Sequence, residues 1–144
     1  MIVVDDLALL EVLAGVAEPA MQQAFESGEV FTTGCWYYRL ANALLNNRLE
    51  GALTAAFRAL GEPEQVQVQE HLDALPPSVG LLDYRKLIPI MTTLETDRQL
   101  NMLAADAIAT AIAVGGDIVV RTDAPLVRAA AAQFGIAYEV VESR

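Results

Sequence analysis

The chain carries one cysteine, one histidine and one lysine in 144 residues, and each scarcity closes off a class of chemistry. A lone Cys35 can form no internal disulfide. His71 lies far from it in sequence, so the pair yields neither a nucleophile with its base nor a zinc set. Basic residues are scarce too, with 9 Lys and Arg against 19 Asp and Glu and a net charge of −10. Such a chain lacks the broad cationic surface from which non-specific nucleic-acid binding draws its affinity. An acidic site that meets phosphate through a divalent metal remains open. No apolar run approaches the roughly 18 residues of a membrane span. The amino-terminal MIVVDD also lacks a basic n-region, so the expectation is a cytoplasmic protein with no membrane partner. Internal repeats, low-complexity tracts and long linkers are missing as well.

What the sequence has is apolar mass. Its hydrophobic content is 54% and its mean hydropathy +0.36, and 144 residues suffice for one core, so a single domain over residues 1–144 is expected. The pattern of that mass alternates between strand and helix. Ile2, Val3 and Val4 form a β-branched run that stops at Asp5 and Asp6, and residues 7–13 then repeat apolar positions at helical spacing. A helix over Pro19–Glu26 and a strand through Val30 and Phe31 follow, after which Gly34 and Cys35 are expected to turn the chain. Residues 36–45 read as a helix, Asn46 and Asn47 as a break, and a further helix runs to Leu60 before Gly61, Glu62 and Pro63. A polar helix over 64–75 leads to a third strand at 79–82, and 85–100 is helical in pattern, with Pro89 in its first turn or at a kink.

The last third is the most informative. Met102–Val114 is apolar except for Asp106 and Thr110, which share one face, and a helix apolar almost all round is a buried one. Asn101 caps its start and the Gly115-Gly116 pair stops it. The run Ile118, Val119, Val120, without alternation, suits a parallel strand covered on both faces, and Asp123 comes just past its end. A helix over Pro125–Gln133 and a strand over 136–141 complete the chain. The order predicts an α/β fold of three α/β/α layers around a parallel sheet of about five strands.

In such sheets the active groups collect where strands end at their carboxyl side. Asp5 and Asp123 each follow a strand, and Asp106 sits early in a helix whose amino end returns to the same rim, so the three are expected to converge. Arg39 belongs to that rim by the same argument. Close carboxylates repel by on the order of 4 kcal/mol per pair at an effective dielectric of 20. Mg²⁺ or Mn²⁺ would offset this, with open positions for phosphate oxygens and an attacking water.

The segments IVVDDLALLEVLAG, DAIATAIA and TDAPLVRAAAAQFGI together resemble a PIN domain, in particular the VapC-like toxin ribonucleases, over essentially the whole chain. The resemblance implies a metal-dependent endoribonuclease with a quartet of acidic residues, usually a homodimer and often inhibited by a small antitoxin protein. Three members of the quartet would be Asp5, Asp106 and Asp123, with Thr122 as the accompanying hydroxyl. The fourth departs from the pattern, because the helix after the second strand reads Arg39, Leu40, Ala41, Asn42, Ala43, Leu44 where the family carries a glutamate. A guanidinium beside a divalent ion would cost decades of metal affinity.

Two functions therefore stand side by side: a ribonuclease acting on RNA phosphodiester bonds through Mg²⁺ or Mn²⁺, and an inactive PIN fold that serves as a binding or regulatory module. Arg39 either pairs with the aspartates or faces solvent. Asp6 reads as a helix N-cap, Glu11 as a water-facing residue, and Trp36, Tyr37 and Tyr38 as core and dimer contacts. The opening residues also resemble a response-regulator receiver. Residues 45–55 hold no phosphoacceptor aspartate, however, and the only lysine is Lys86, which argues against it.

Overall fold

The most β-branched runs of the chain, Ile2–Val4 (β1) and Asp117–Val120 (β4), lie side by side at the centre of a parallel sheet. A computed structural model of the chain describes residues 1–46, 51–94 and 99–142. Outside β1 lie β2 (Val30–Thr32) and then β3 (Val79–Leu81), and outside β4 lies β5 (Tyr138–Val140), so the five strands run in the order β3-β2-β1-β4-β5. Register pairs Val3 with Phe31 on one side and with Ile118 on the other. Successive side chains point to opposite faces of the sheet. Val4 and Val119 accordingly join one core, while Val3, Ile118 and Val120 join another.

Helices cover both faces, as the expected three-layer α/β/α architecture requires. The first core takes the buried sides of α1 (Asp6–Ala14), α3 (Gly34–Leu45) and α5 (Glu62–Asp73), with Met21 from α2 (Pro19–Glu26). The second takes α7 (Met102–Val114) and α8 (Pro125–Gln133). Short α4 (Ala52–Arg58) packs on α1 and α3, and α6 (Tyr84–Met91) packs on α7. Leu9, Leu13 and Ile108 are fully buried; each contributes about 1.5–3 kcal/mol by leaving water. α7 is buried on most of its circumference, is capped by the Asn101 side chain at Ala104 N, and stops at Gly115, whose φ of 64° suits glycine. Among the described residues no helix is long and apolar enough to cross a membrane.

Three local expectations change. Gly34 and Cys35 open α3 instead of turning the chain, because the Thr33 hydroxyl accepts Trp36 N at 3.1 Å and starts the helix there. Pro63 lies in the first turn of α5, where a missing N–H costs nothing, so this helix begins at Glu62. The helix expected over 85–100 is only α6: Asp83 caps it, Pro89 lies inside it beyond the first turn, and it ends at Met91. Residues 95–98 of that span, and Asn47 of the expected break, lie outside the described residues.

Candidate functional site

From β1 the chain winds outward through β2 to β3, then returns to the other side of β1 for β4 and β5. The point where winding reverses, between the carboxyl ends of β1 and β4, is where open α/β sheets form their binding crevice. Asp5 follows β1 directly, and Arg121, Thr122 and Asp123 follow β4. A cleft of about 460 Å³ opens there, and Asp5, Asp6, Arg39, Thr122 and Asp123 all contribute to its walls.

Asp5 is the best anchored of these. Its extended backbone makes it the N-cap of α1, with Oδ1 accepting Ala8 N at 2.9 Å. Oδ2 accepts Arg121 N at 3.0 Å and Thr122 N at 3.1 Å, so one carboxylate ties the end of β1 to the end of β4. The side chain is buried, and burial pushes its pKa up to about 6 against the opposing pull of those three N–H groups, with the neighbouring Asp6 charge adding to the rise. Capping therefore falls to Asp5, since β1 stops at Val4. Asp6, expected as the cap, is the first residue of the helix. It is buried too, and its pKa is raised by burial and lowered by Arg39, whose Nε stands 3.5 Å from Asp6 Oδ2. Arg39 thus meets a carboxylate, but it is Asp6 and not one of the three expected ligands. Its side chain remains 54% exposed.

Asp106 lies elsewhere. It is fully buried on α7, in the layer opposite α1, and its Oδ2 accepts Tyr84 O–H at 2.9 Å and Cys35 N at 3.2 Å. The carboxylate thereby sits on the amino end of α3, where the free N–H groups and the helix dipole favour negative charge. Its Oδ1 is buried with no partner. Trp36 and Leu103 line the cleft on this side, and Asp106 does not. A Cβ on Gly34 would fall 2.6 Å from the Tyr84 hydroxyl, so the glycine is what lets this tyrosine close on the helix end.

Asp123 reaches the cleft with both oxygens engaged: Oδ1 accepts Tyr138 O–H at 2.9 Å, and Oδ2 pairs with Arg128 at 3.0 Å. The same Tyr138 oxygen accepts Ala124 N at 2.8 Å, and its pKa is pushed up to about 12, chiefly by burial. Thr122 serves Asp5 through its backbone N–H. No family model matches the chain, and no curated protein matches it either.

Tested against a divalent ion, the donor set does not fit. Among the described residues, no three His, Cys, Asp or Glu side chains form a group able to hold a metal. A carboxylate offers about four lone-pair sites, and Asp5 has already committed itself to three N–H donors. Asp123 is paired with Arg128, and Asp106, held by Tyr84 and Cys35, is absent from the walls of the cleft that Asp5 and Asp123 line.

Four residues organise the site in ways the sequence does not announce. Arg121, largely buried, ion-pairs with Glu11 and donates to the Val141 carbonyl, bracing the backbone that clamps Asp5. Glu11 is therefore engaged instead of water-facing. The available signal is a lone cation at the end of a core strand, which needs a partner when buried. Tyr84 and Tyr138 carry none, since each meets its aspartate only through tertiary packing.

Proposed function

We propose that this chain is a PIN-like protein that works as a binding module through its rim cleft and does not hydrolyse RNA with a bound metal. The observation that carries this reading is Asp106: one of three expected ligands is closed into a Tyr84 and Cys35 pocket, off the cleft. Asp6 and Asp123, whose ion pairs with the exposed Arg39 and Arg128 a competing cation can replace, stand beside the apolar wall of Trp36 and Leu103. That combination suits a cationic side chain carried on an apolar stem. The test is calorimetric titration of the native protein and of Arg39→Glu with Mn²⁺ and Mg²⁺, run beside cleavage assays on single-stranded RNA. Neither protein should bind metal saturably, because replacing Arg39 leaves Asp106 where it is. Micromolar Mn²⁺ binding by the native chain, with RNA cleavage abolished by EDTA and by Asp5→Asn, would overturn the proposal.

One observation favours a second reading, a metal-dependent endoribonuclease of the VapC toxin type acting in the cytoplasm, with a homodimer and an antitoxin as its associations. Asp5, Asp6 and Asp123 share one cleft at the switch point, and two of them are buried acids with raised pKa values, a setting that a cation would relieve. Saturable Mn²⁺ binding by the native chain, with EDTA-sensitive RNA cleavage, would select this reading; binding that appears only in Arg39→Glu would leave the native chain without metal and identify the arginine as what blocks the site.

A further inference from the structure

The one lysine of this acidic chain lies beside an arginine on α6, a helix with a single buried residue, Leu87. Arg85, Lys86, Ile88 and Pro89 all face solvent, and Ile88 is 43% exposed. Residues three and four apart on a helix are neighbours, so Arg85 adjoins Ile88 and Pro89, and Lys86 adjoins Pro89. Among the described residues neither cation has an acidic partner: the three ion pairs use Arg39, Arg121 and Arg128. Leu81, 42% exposed, ends the edge strand β3 a few residues before the helix starts. The support is firm, because Leu87 is buried, α6 packs on α7, and the Tyr84 hydroxyl is bonded to Asp106.

We propose that the outer face of α6 is a docking surface for an acidic, partly apolar segment of another protein. Charge decides the occupant. A second copy meeting this face by twofold symmetry would set Arg85 and Lys86 against themselves, whereas carboxylates of a partner would pair with both cations while its apolar residues cover Ile88 and Pro89. Two cations amid exposed aliphatic groups, in a chain of net charge −10, make a poor phosphate track by comparison.

The test displays a library of random dodecapeptides to the full-length protein, with the Arg85→Glu/Lys86→Glu double variant and Ile88→Asp as controls. Both substitutions lie on exposed positions, and circular dichroism verifies the fold. Selected peptides should be enriched in Asp and Glu interspersed with Leu, Ile or Phe, should lose at least tenfold in affinity for each variant, and should weaken with added salt. Peptides with no such enrichment, or with unchanged affinity for the double variant, overturn the proposal. Single-stranded RNA that binds more tightly than the peptides and is lost with the double variant overturns it in favour of a nucleic-acid surface. A dimer seen by light scattering and dispersed by Ile88→Asp overturns it in favour of self-association.

Discussion

Replacing Asp5 by asparagine should change how stability depends on pH as well as stability itself. The carboxyl is buried and its pKa is pushed up from 3.8 to about 6 in the folded protein. Below the lower value it is protonated in both states and contributes nothing to the pH dependence. Between the two values the folded state holds a proton that the unfolded chain has lost, so raising the pH favours unfolding. Above the folded pKa the effect levels off. A tenfold difference in proton affinity between the two states is worth about 1.36 kcal/mol, so this group alone should cost the native protein about 3 kcal/mol over its whole titration, with about 2 kcal/mol of that lost between pH 4 and pH 6.5.

The asparagine side chain cannot titrate. It keeps an acceptor for Ala8 N but turns an amide N–H₂ toward Arg121 N and Thr122 N, which adds a cost that does not vary with pH. The difference in unfolding free energy, native minus Asp5→Asn, should therefore fall by about 2 kcal/mol across that window, with titrating groups other than the neighbouring Asp6 cancelling. Urea unfolding followed by the fluorescence of Trp36, the single and buried tryptophan, supplies the curves. A difference flat to within about 0.5 kcal/mol, the scatter of such comparisons, would refute the reasoning. A difference that rises with pH would show that the three N–H bonds outweigh burial.

Other substitutions probe separate joints. In Gly80→Ala the new Cβ falls 2.3 Å from the Phe31 ring on the paired strand, so the ring must shift; a loss of about 1–3 kcal/mol in urea unfolding is expected, relieved in part by Phe31→Leu. Tyr84→Phe removes one of two donors from the buried Asp106 carboxylate and should cost about 1.5–3 kcal/mol by the same assay. Arg121→Met leaves Glu11 without its partner and should cost roughly 3 kcal/mol, with Glu11→Met in the same chain recovering part of it. Amide exchange of residues 121–123 should accelerate in Arg121→Met and remain unchanged in Gly80→Ala.

The fold is legible in the sequence because its signals are local. A β-branched run closed by a carboxylate, as at Val4 and Asp5, and an apolar helix between Asn101 and Gly115 are set by chain chemistry within a few residues. From the alternation of such units the parallel sheet and its rim follow, which is why Asp5, Thr122, Asp123 and Arg39 are expected near one another and share a cleft. The helix expected over 85–100 falls short for a local reason, since the apolar pattern there continues past a helix that ends at Met91. Partner choice is not legible. Arg39 selecting Asp6, Tyr138 bonding Asp123 and Tyr84 bonding Asp106 each depend on where two distant helices or strands settle.

Topology brings carboxylates to the switch point, but hydrogen-bond supply determines what they can do there. A carboxylate that ends a strand also faces the first N–H groups of the next helix, and a neighbouring strand end offers more. Asp5 accepts from both sources, and three donors hold it in place and occupy three of its roughly four lone-pair sites. The amino end of α3 competes in the same way for Asp106, offering Cys35 N and, through Gly34, the close approach of Tyr84. Arg39 pairs with Asp6 and Arg128 with Asp123, while Asp106 keeps one buried oxygen, Oδ1, without a partner. A divalent ion entering this cleft would compete with these N–H groups and arginines for the carboxylate oxygens, and that competition would lower its affinity.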